Sequence, residues 1–284
     1  MRTRWKIISI IALIVIAVAL DKSHQNSGDG NIFKKGIIDK IRYSTVALGY
    51  ITTPQENLKG LNAEAAKNKF KIMGTGFLIK DDLVITNRHV IDRLREELKK
   101  NGITAKELYV NFISPYKGGV RDGFSPLEHV LLPKDTNLDI AFVTFKKRPE
   151  PEFSQSSPAK ILDSLQVEVG TAVGVCGYAY SVETLHIPQF GINGFGAILQ
   201  QGHVSALSPY NKMPSLKSLN NILLDVRATP GMSGGPVFTS DGSVIGILSS
   251  GRRDAAFVLA LPLDKKRIDE YLKDSQKLES GDLA

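Results

Sequence analysis

From Ile7 to Leu20 the chain is apolar apart from Ser9, and Arg2, Arg4 and Lys6 precede this run. Fourteen residues of helix reach about 21 Å, short of the roughly 30 Å hydrocarbon core of a bilayer. Basic residues followed by a short apolar run form the pattern of an export signal, and Ala17-Val18-Ala19 supplies an Ala-x-Ala cleavage site. An uncleaved membrane tether is the alternative, with its flanking residues snorkelling to the interface. Residues 1–27 are thus read as signal or anchor plus a polar linker, ahead of one folded region over 28–284.

Beyond residue 28 the pattern changes to short apolar strands separated by turns. Gly74-Thr75-Gly76-Phe77-Leu78-Ile79 is a Gly-punctuated strand, Asp81-Asp82 a turn, and Leu83-Val84-Ile85-Thr86 a second strand running into Asn87-Arg88-His89-Val90. Ile91, Leu94 and Leu98 then recur at helical spacing among charges. Asn137 to Phe145 sets Asp139 at the mouth of a buried apolar strand. Lys265 to Leu272 reads as a short helix, with a polar tail beyond Ser275. Thr52 to Lys69, polar and aperiodic, reads as a surface loop. Pro149, Pro151 and Pro158 with Ser154, Ser156 and Ser157 mark a linker. No internal repeat is visible.

Composition narrows the function classes. The formal net charge is +7, from 36 basic and 29 acidic residues. Setting aside Arg2, Arg4 and Lys6 leaves 33 against 29, or +4, with no basic stripe to suggest nucleic acid. One cysteine, Cys176, forbids an intramolecular disulfide and lies in the apolar stretch Val173–Tyr178. Apolar neighbours raise a thiol pKa, so Cys176 is read as packing and not as a nucleophile. No metal cluster or nucleotide loop is visible, and no cofactor is implied.

The chemistry concentrates at Gly231-Met232-Ser233-Gly234-Gly235. Serine becomes a nucleophile only when a base takes its proton and donors receive the charge developing on the substrate oxygen. Gly-x-Ser-x-Gly also describes the esterase nucleophile elbow, whose histidine follows the serine. Here His24, His89, His129, His186 and His203 all precede Ser233, which leaves the order His, Asp, Ser open. His89 stands out because a hairpin aims it. Asp139 is the preferred acid and Asp135, in a solvated turn, its rival.

Thr86–Val90, Leu138–Ala141 and Pro230–Pro236 together resemble the trypsin-like serine peptidases, above all the disulfide-free bacterial branch that includes the DegP/HtrA proteases. The resemblance covers roughly residues 36–263. It implies an all-β fold of two perpendicular six-stranded antiparallel β-barrels, one over about 36–147 and one over about 165–263, then a helix over about 264–275. It also implies Ser233 as nucleophile, His89 as general base and Asp139 as the orienting acid. The oxyanion hole would be the backbone N–H groups of Gly231 and Ser233. Too few residues follow Ser233 for the PDZ domain that DegP/HtrA proteases add, so no oligomeric cage is implied.

The same resemblance bears on substrate and activation. An extended polypeptide would add along Leu248-Ser249-Ser250-Gly251 as an edge strand. Arg227, six residues before the nucleophile, falls where trypsins place the floor of the P1 pocket. A basic floor favours an acidic P1 side chain; alternatively Arg227 points outwards or pairs with Asp225. Pancreatic-type trypsins need an aspartate directly before the serine to receive a freed N-terminus. Met232 cannot play that part, so cleavage-dependent activation is not expected. The expected function is exported serine endopeptidase in a bacterial cell envelope. A catalytically silent, membrane-tethered peptide-binding module is the alternative.

Overall fold

A strand that is apolar on both faces needs cover on both, and β1 (Thr45–Ile51) is buried along its whole length. It follows directly from α1 (Lys35–Ser44). The computed structural model describes residues 33–51, 70–102, 108–116, 119–146, 156–163, 167–179, 197–209, 220–251, 257–279 and 283. The export segment, the Thr52–Lys69 loop and the 147–155 part of the linker lie outside them. Among the described residues no helix is long and apolar enough to cross a membrane.

The first barrel is built outward from β1, which pairs antiparallel with β2 (Phe70–Lys80) and β4 (Leu108–Tyr116). The Asp81-Asp82 turn returns β2 into β3 (Leu83–Thr86). β5 (Gly119–Pro133) and β6 (Ala141–Phe145) close the ring, in the order β1-β2-β3-β6-β5-β4. The glycines of β2 mark places without room. A Cβ at Gly74 would lie 2.5 Å from Val90 Cγ1, and one at Gly76 2.6 Å from Val84 Cγ1. Between β3 and β4, α2 (Arg88–Asn101) turns Ile91, Leu94 and Leu98 into the same core as Val46, Leu48 and Val143. Each such side chain contributes about 1.5–3 kcal/mol by leaving water. The helical spacing read from sequence therefore belongs to the barrel core.

The second barrel comprises β8 (Ala172–Gly177), β9 (Ile198–Pro209), β10 (Asn220–Leu224), β11 (Pro236–Thr239), β12 (Ser243–Gly251) and β13 (Val258–Pro262). The order β8-β9-β10-β13-β12-β11 closes through the β11–β8 pairing, and β7 (Lys160–Ile161) lies parallel outside β12. Val175, Val204, Ile222, Val237 and Ile245 fill its centre. Two closed six-stranded antiparallel barrels are the architecture the motifs imply.

α3 (Lys265–Lys273) begins at Asp264, whose carboxylate accepts the Arg267 N–H at 2.8 Å, a side-chain N-cap. The tail beyond Ser275 shows no strand pattern in sequence, yet β14 (Ser275–Glu279) pairs antiparallel with β5. Its register runs from Ser275 opposite Pro133 to Glu279 opposite His129. Only Leu278 reaches the core, so backbone hydrogen bonds carry most of this pairing.

Candidate active site

β3 ends at Thr86, Asn87 is extended, and α2 starts at Arg88, which puts His89 in the first helical turn. Helix starts leave backbone N–H groups without intrahelical partners. Asp139, just ahead of β6, takes one of them: its Oδ1 accepts the His89 N–H at 3.0 Å. The same carboxylate faces the ring, with His89 Nδ1 at 3.0 Å from Oδ1 and 2.9 Å from Oδ2. Ser249 on β12 donates its hydroxyl to Asp139 Oδ2 at 2.6 Å. Three donors thus converge on one acceptor-only group. A ring whose Nδ1–H is given to a carboxylate keeps a lone pair on Nε2, the form a general base needs.

The Asp139 segment is held from the His89 side. Asn87, fully buried, donates Nδ2–H to the Asp139 carbonyl at 2.9 Å and leaves the helix end without a side-chain cap of its own. Arg88 donates Nε–H to Leu138 O at 3.2 Å and Nη2–H to the carbonyls of Pro133 and Asp135. The rival acid Asp135 is occupied locally: its Oδ1 accepts the Asn137 N–H at 2.9 Å and the Asn137 side-chain amide at 3.2 Å.

Ser233 lies in a tight loop whose backbone groups can be accounted for one by one. The Met232 N–H donates to Thr229 O at 3.1 Å and Gly231 has φ +98°. A closed turn with Pro at its second position and positive φ at its third is type II, so its central peptide is turned over relative to type I. Thr75 Oγ1 donates to Gly231 O at 2.7 Å, the Gly235 N–H donates to Met232 O at 3.0 Å, and the Thr75 N–H donates to Ser233 O at 2.8 Å. The Gly234 N–H goes to Leu248 O at 2.8 Å. Among the described residues, the N–H groups of Gly231 and Ser233 have no protein acceptor, and these are the two donors named from sequence.

The loop is tied to both halves of the His89–Asp139 pair. A Cβ on Gly234, at φ +89°, would sit 1.9 Å from Thr75 O and 2.6 Å from Thr86 Oγ1, three residues before His89. Leu248, bonded to Gly234 and Gly235, adjoins Ser249, which binds Asp139. Among the described residues His89 and Ser233 make no side-chain hydrogen bond to each other; such contacts are commonly long until substrate arrives. Met232 is buried at 1% exposure in the second barrel's core. Burial pushes the Cys176 thiol up to about 11.

The substrate-side residues are distributed differently. Arg227 is exposed, and the Asp225 carboxylate meets His203, accepting its backbone N–H with the ring 3.5 Å away. Ser250 and Gly251 pair through their backbone with Leu259 and Val258 of β13. β12 pairs with β11 only as far as Ile247, so from Ser249 onward it has left β11. Sequence reading missed Thr75, Asn87 and Arg88, and it gave Ser249 no contact with Asp139. The available signal was a polar residue inside or beside an apolar strand.

Geometry of this kind, between two antiparallel barrels, defines a class, and the model of the trypsin-like peptidase domain matches residues 74–247. The chain belongs to that family of serine peptidases. A "Probable periplasmic serine endoprotease DegP-like" of Pseudomonas savastanoi pv. phaseolicola is 28% identical over 215 residues, covering 74% of this chain and 36% of that protein. The same name applies to a Halomonas elongata protein, 27% identical over 66% of this chain and 31% of its own. The chain thus spans about a third of the length of these relatives. Among solved structures, the inactive form of Rv3671c protease shares the fold at TM-score 0.51 and 17% identity, over 86% of this chain and 95% of that one. Deg5 does so at TM-score 0.51 and 20% identity, over 84% and 90%.

Proposed function

We propose that the chain is a serine endopeptidase that hydrolyses peptide bonds through Ser233, His89 and Asp139. Ser233 Oγ attacks the scissile carbonyl carbon while His89 Nε2 takes its proton. The oxyanion formed is received by the N–H groups of Gly231 and Ser233. Collapse breaks the C–N bond, and the imidazolium returns the proton to the leaving amine. Water then attacks the acyl ester with His89 again as base, releasing the carboxylic acid and restoring Ser233. Asp139 holds the imidazole in register and offsets its positive charge.

The observation that carries this reading is the His89–Asp139 contact at 2.9 Å, buttressed by Ser249 and linked through Leu248 and Gly234 to the Ser233 loop. The side chains of His89 and Asp139 keep 32% and 26% exposure, so an extended polypeptide can reach them. Ser249, Ser250 and Gly251 would bind that polypeptide's backbone. Arg227 is the first residue to vary when P1 preference is mapped. The periplasmic naming of the relatives, with the basic and apolar N-terminus, supports action outside the cytoplasm. Buried Met232 supports a domain active without a newly cut terminus.

Wild type and Ser233→Ala, as full chains, are treated with a fluorophosphonate probe and assayed on fluorescein-labelled casein. Adduct at Ser233 alone, with turnover lowered by about 10⁴–10⁶ in the variant, is the expected result. A folded wild type that neither labels nor cleaves would refute the proposal and favour the silent peptide-binding module.

A further inference from the structure

We infer that Thr75, on β2 of the first barrel, is a positioning residue that sets the oxyanion-binding loop through its hydroxyl group. This rests on the assignment of Ser233, Gly231 and their N–H groups above. Thr75 is fully buried, and its side chain has two definite partners. Oγ1 accepts the Tyr178 N–H at 2.9 Å and donates to Gly231 O at 2.7 Å. With one lone pair taken by that N–H, the hydroxyl proton has one acceptor among the described residues, the Gly231 carbonyl. Valine would fill the same space but would leave the Tyr178 N–H and the Gly231 carbonyl without this partner.

The consequence follows from which peptide is held. The Gly231–Met232 peptide is gripped at both ends, its oxygen by Thr75 Oγ1 and its N–H by Thr229 O. The next carbonyl but one, that of Ser233, is gripped by the Thr75 N–H. One residue of the first barrel therefore brackets the Met232–Ser233 peptide that carries the Ser233 N–H. It also fixes the glycine whose own N–H belongs to the overturned peptide of the type II turn. Release of the Gly231 carbonyl frees that glycine to rotate, because glycine meets little resistance on either side of φ zero. Rotation of the Pro230–Gly231 peptide toward the type I arrangement would turn the Gly231 N–H away from the substrate oxygen. Tyr178 follows β8, and Gly177 beside it packs against Met232, so the hydroxyl joins three segments of two barrels.

Thr75→Val removes the hydroxyl at nearly constant volume, and Thr75→Ser restores it. Both are compared with wild type and Ser233→Ala as full chains, using the fluorophosphonate probe and labelled casein. Loss of one oxyanion donor costs roughly 10²–10³ in turnover. Partial misplacement in Thr75→Val should lower the limiting inactivation rate and casein turnover by about 10–100-fold on that scale. The probe concentration for half-maximal rate should stay within about twofold, the pH profile of inactivation should keep its shape, and Thr75→Ser should recover most of the rate. Should Thr75→Val not fold, Thr75→Cys, with a weaker donor in the same space, carries the comparison and should fall between serine and valine. A folded variant without the hydroxyl that reacts at the wild-type rate would overturn the inference, as would equal losses in Thr75→Val and Thr75→Ser. Failure of the underlying assignment is distinguishable: wild type itself would then not label, or Ser233→Ala would label as wild type does.

Discussion

Arg88→Met keeps the aliphatic stem and removes the guanidinium that joins the His89 helix to the Asp139 segment. Three carbonyls lose a charged donor: Leu138 O at 3.2 Å from Nε, Asp135 O at 3.3 Å from Nη2, and Pro133 O. Leu138 is 4% exposed and Pro133 is buried as well, so both oxygens have little access to water. A hydrogen bond from a charged donor contributes about 1.5–3 kcal/mol net, and the partly exposed Asp135 carbonyl recovers most of its loss from solvent. With the Leu138 and Pro133 carbonyls both counted, the sum is about 3–6 kcal/mol of stability, seen as a fall of about 10–20 °C in Tm. Turnover should fall by about 10–100-fold, the scale on which small misplacement of a reacting group is felt. The decisive assay is a double-mutant cycle with Asp139→Asn, whose own cost under the proposed mechanism would be about 10⁴. If Arg88 acts by holding Asp139, the two losses combine to less than their product. Full multiplicativity, or a wild-type Tm in Arg88→Met, would refute the reasoning.

Two further outcomes test other parts of the molecule. Asp241 is held well below the usual carboxylate range, foremost by Lys160 at 2.8 Å and then by Thr239 and Ser243. Its contribution is therefore present above the ordinary carboxylate value and lost as pH falls below it. Urea midpoints of Asp241→Asn and wild type should differ at pH 7 and converge toward pH 2; a constant gap would show that the charge is not involved. Because the Asp241 side chain is 57% exposed, solvent screens much of the effect. Cys176, with its thiol pushed up to about 11 and no exposed surface, should resist iodoacetamide at pH 8 until the protein is unfolded. Rapid alkylation of the native protein would contradict the packing role.

What was legible in the sequence had a local cause. The β2–turn–β3 hairpin shows because Gly74 and Gly76 stand where valines press close, and because Asp81-Asp82 interrupts an apolar run. The α2 face shows because Ile91, Leu94 and Leu98 all enter one core. The two closed barrels were legible through the resemblance of the three motifs to the trypsin-like peptidases. The residues that tie the site together were not legible, because their partners are distant in sequence. Thr75 meets Gly231 over 156 positions and Ser249 meets Asp139 over 110. Arg88 spends its side chain on carbonyls, which every residue possesses, so no partner type announces it. β14 stayed hidden for a related reason: a strand held by its backbone leaves almost no trace in its side chains.

That last strand also imposes an order of assembly. β14 is separated from β5 by more than 140 positions, and the whole second barrel and α3 lie between them. Until it arrives, residues 129–133 present unpaired N–H and C=O groups along an edge, which can template pairing with another chain. Ser275 docks opposite Pro133, whose carbonyl is one of those Arg88 grips beside the Asp139 segment. A partly synthesised chain therefore holds its first barrel with the neighbourhood of Asp139 unsealed. The long loop that must close before β14 can pair makes this step late. Delay of this kind would suit the proposed peptidase, whose chemistry would be hazardous in the compartment where it is made.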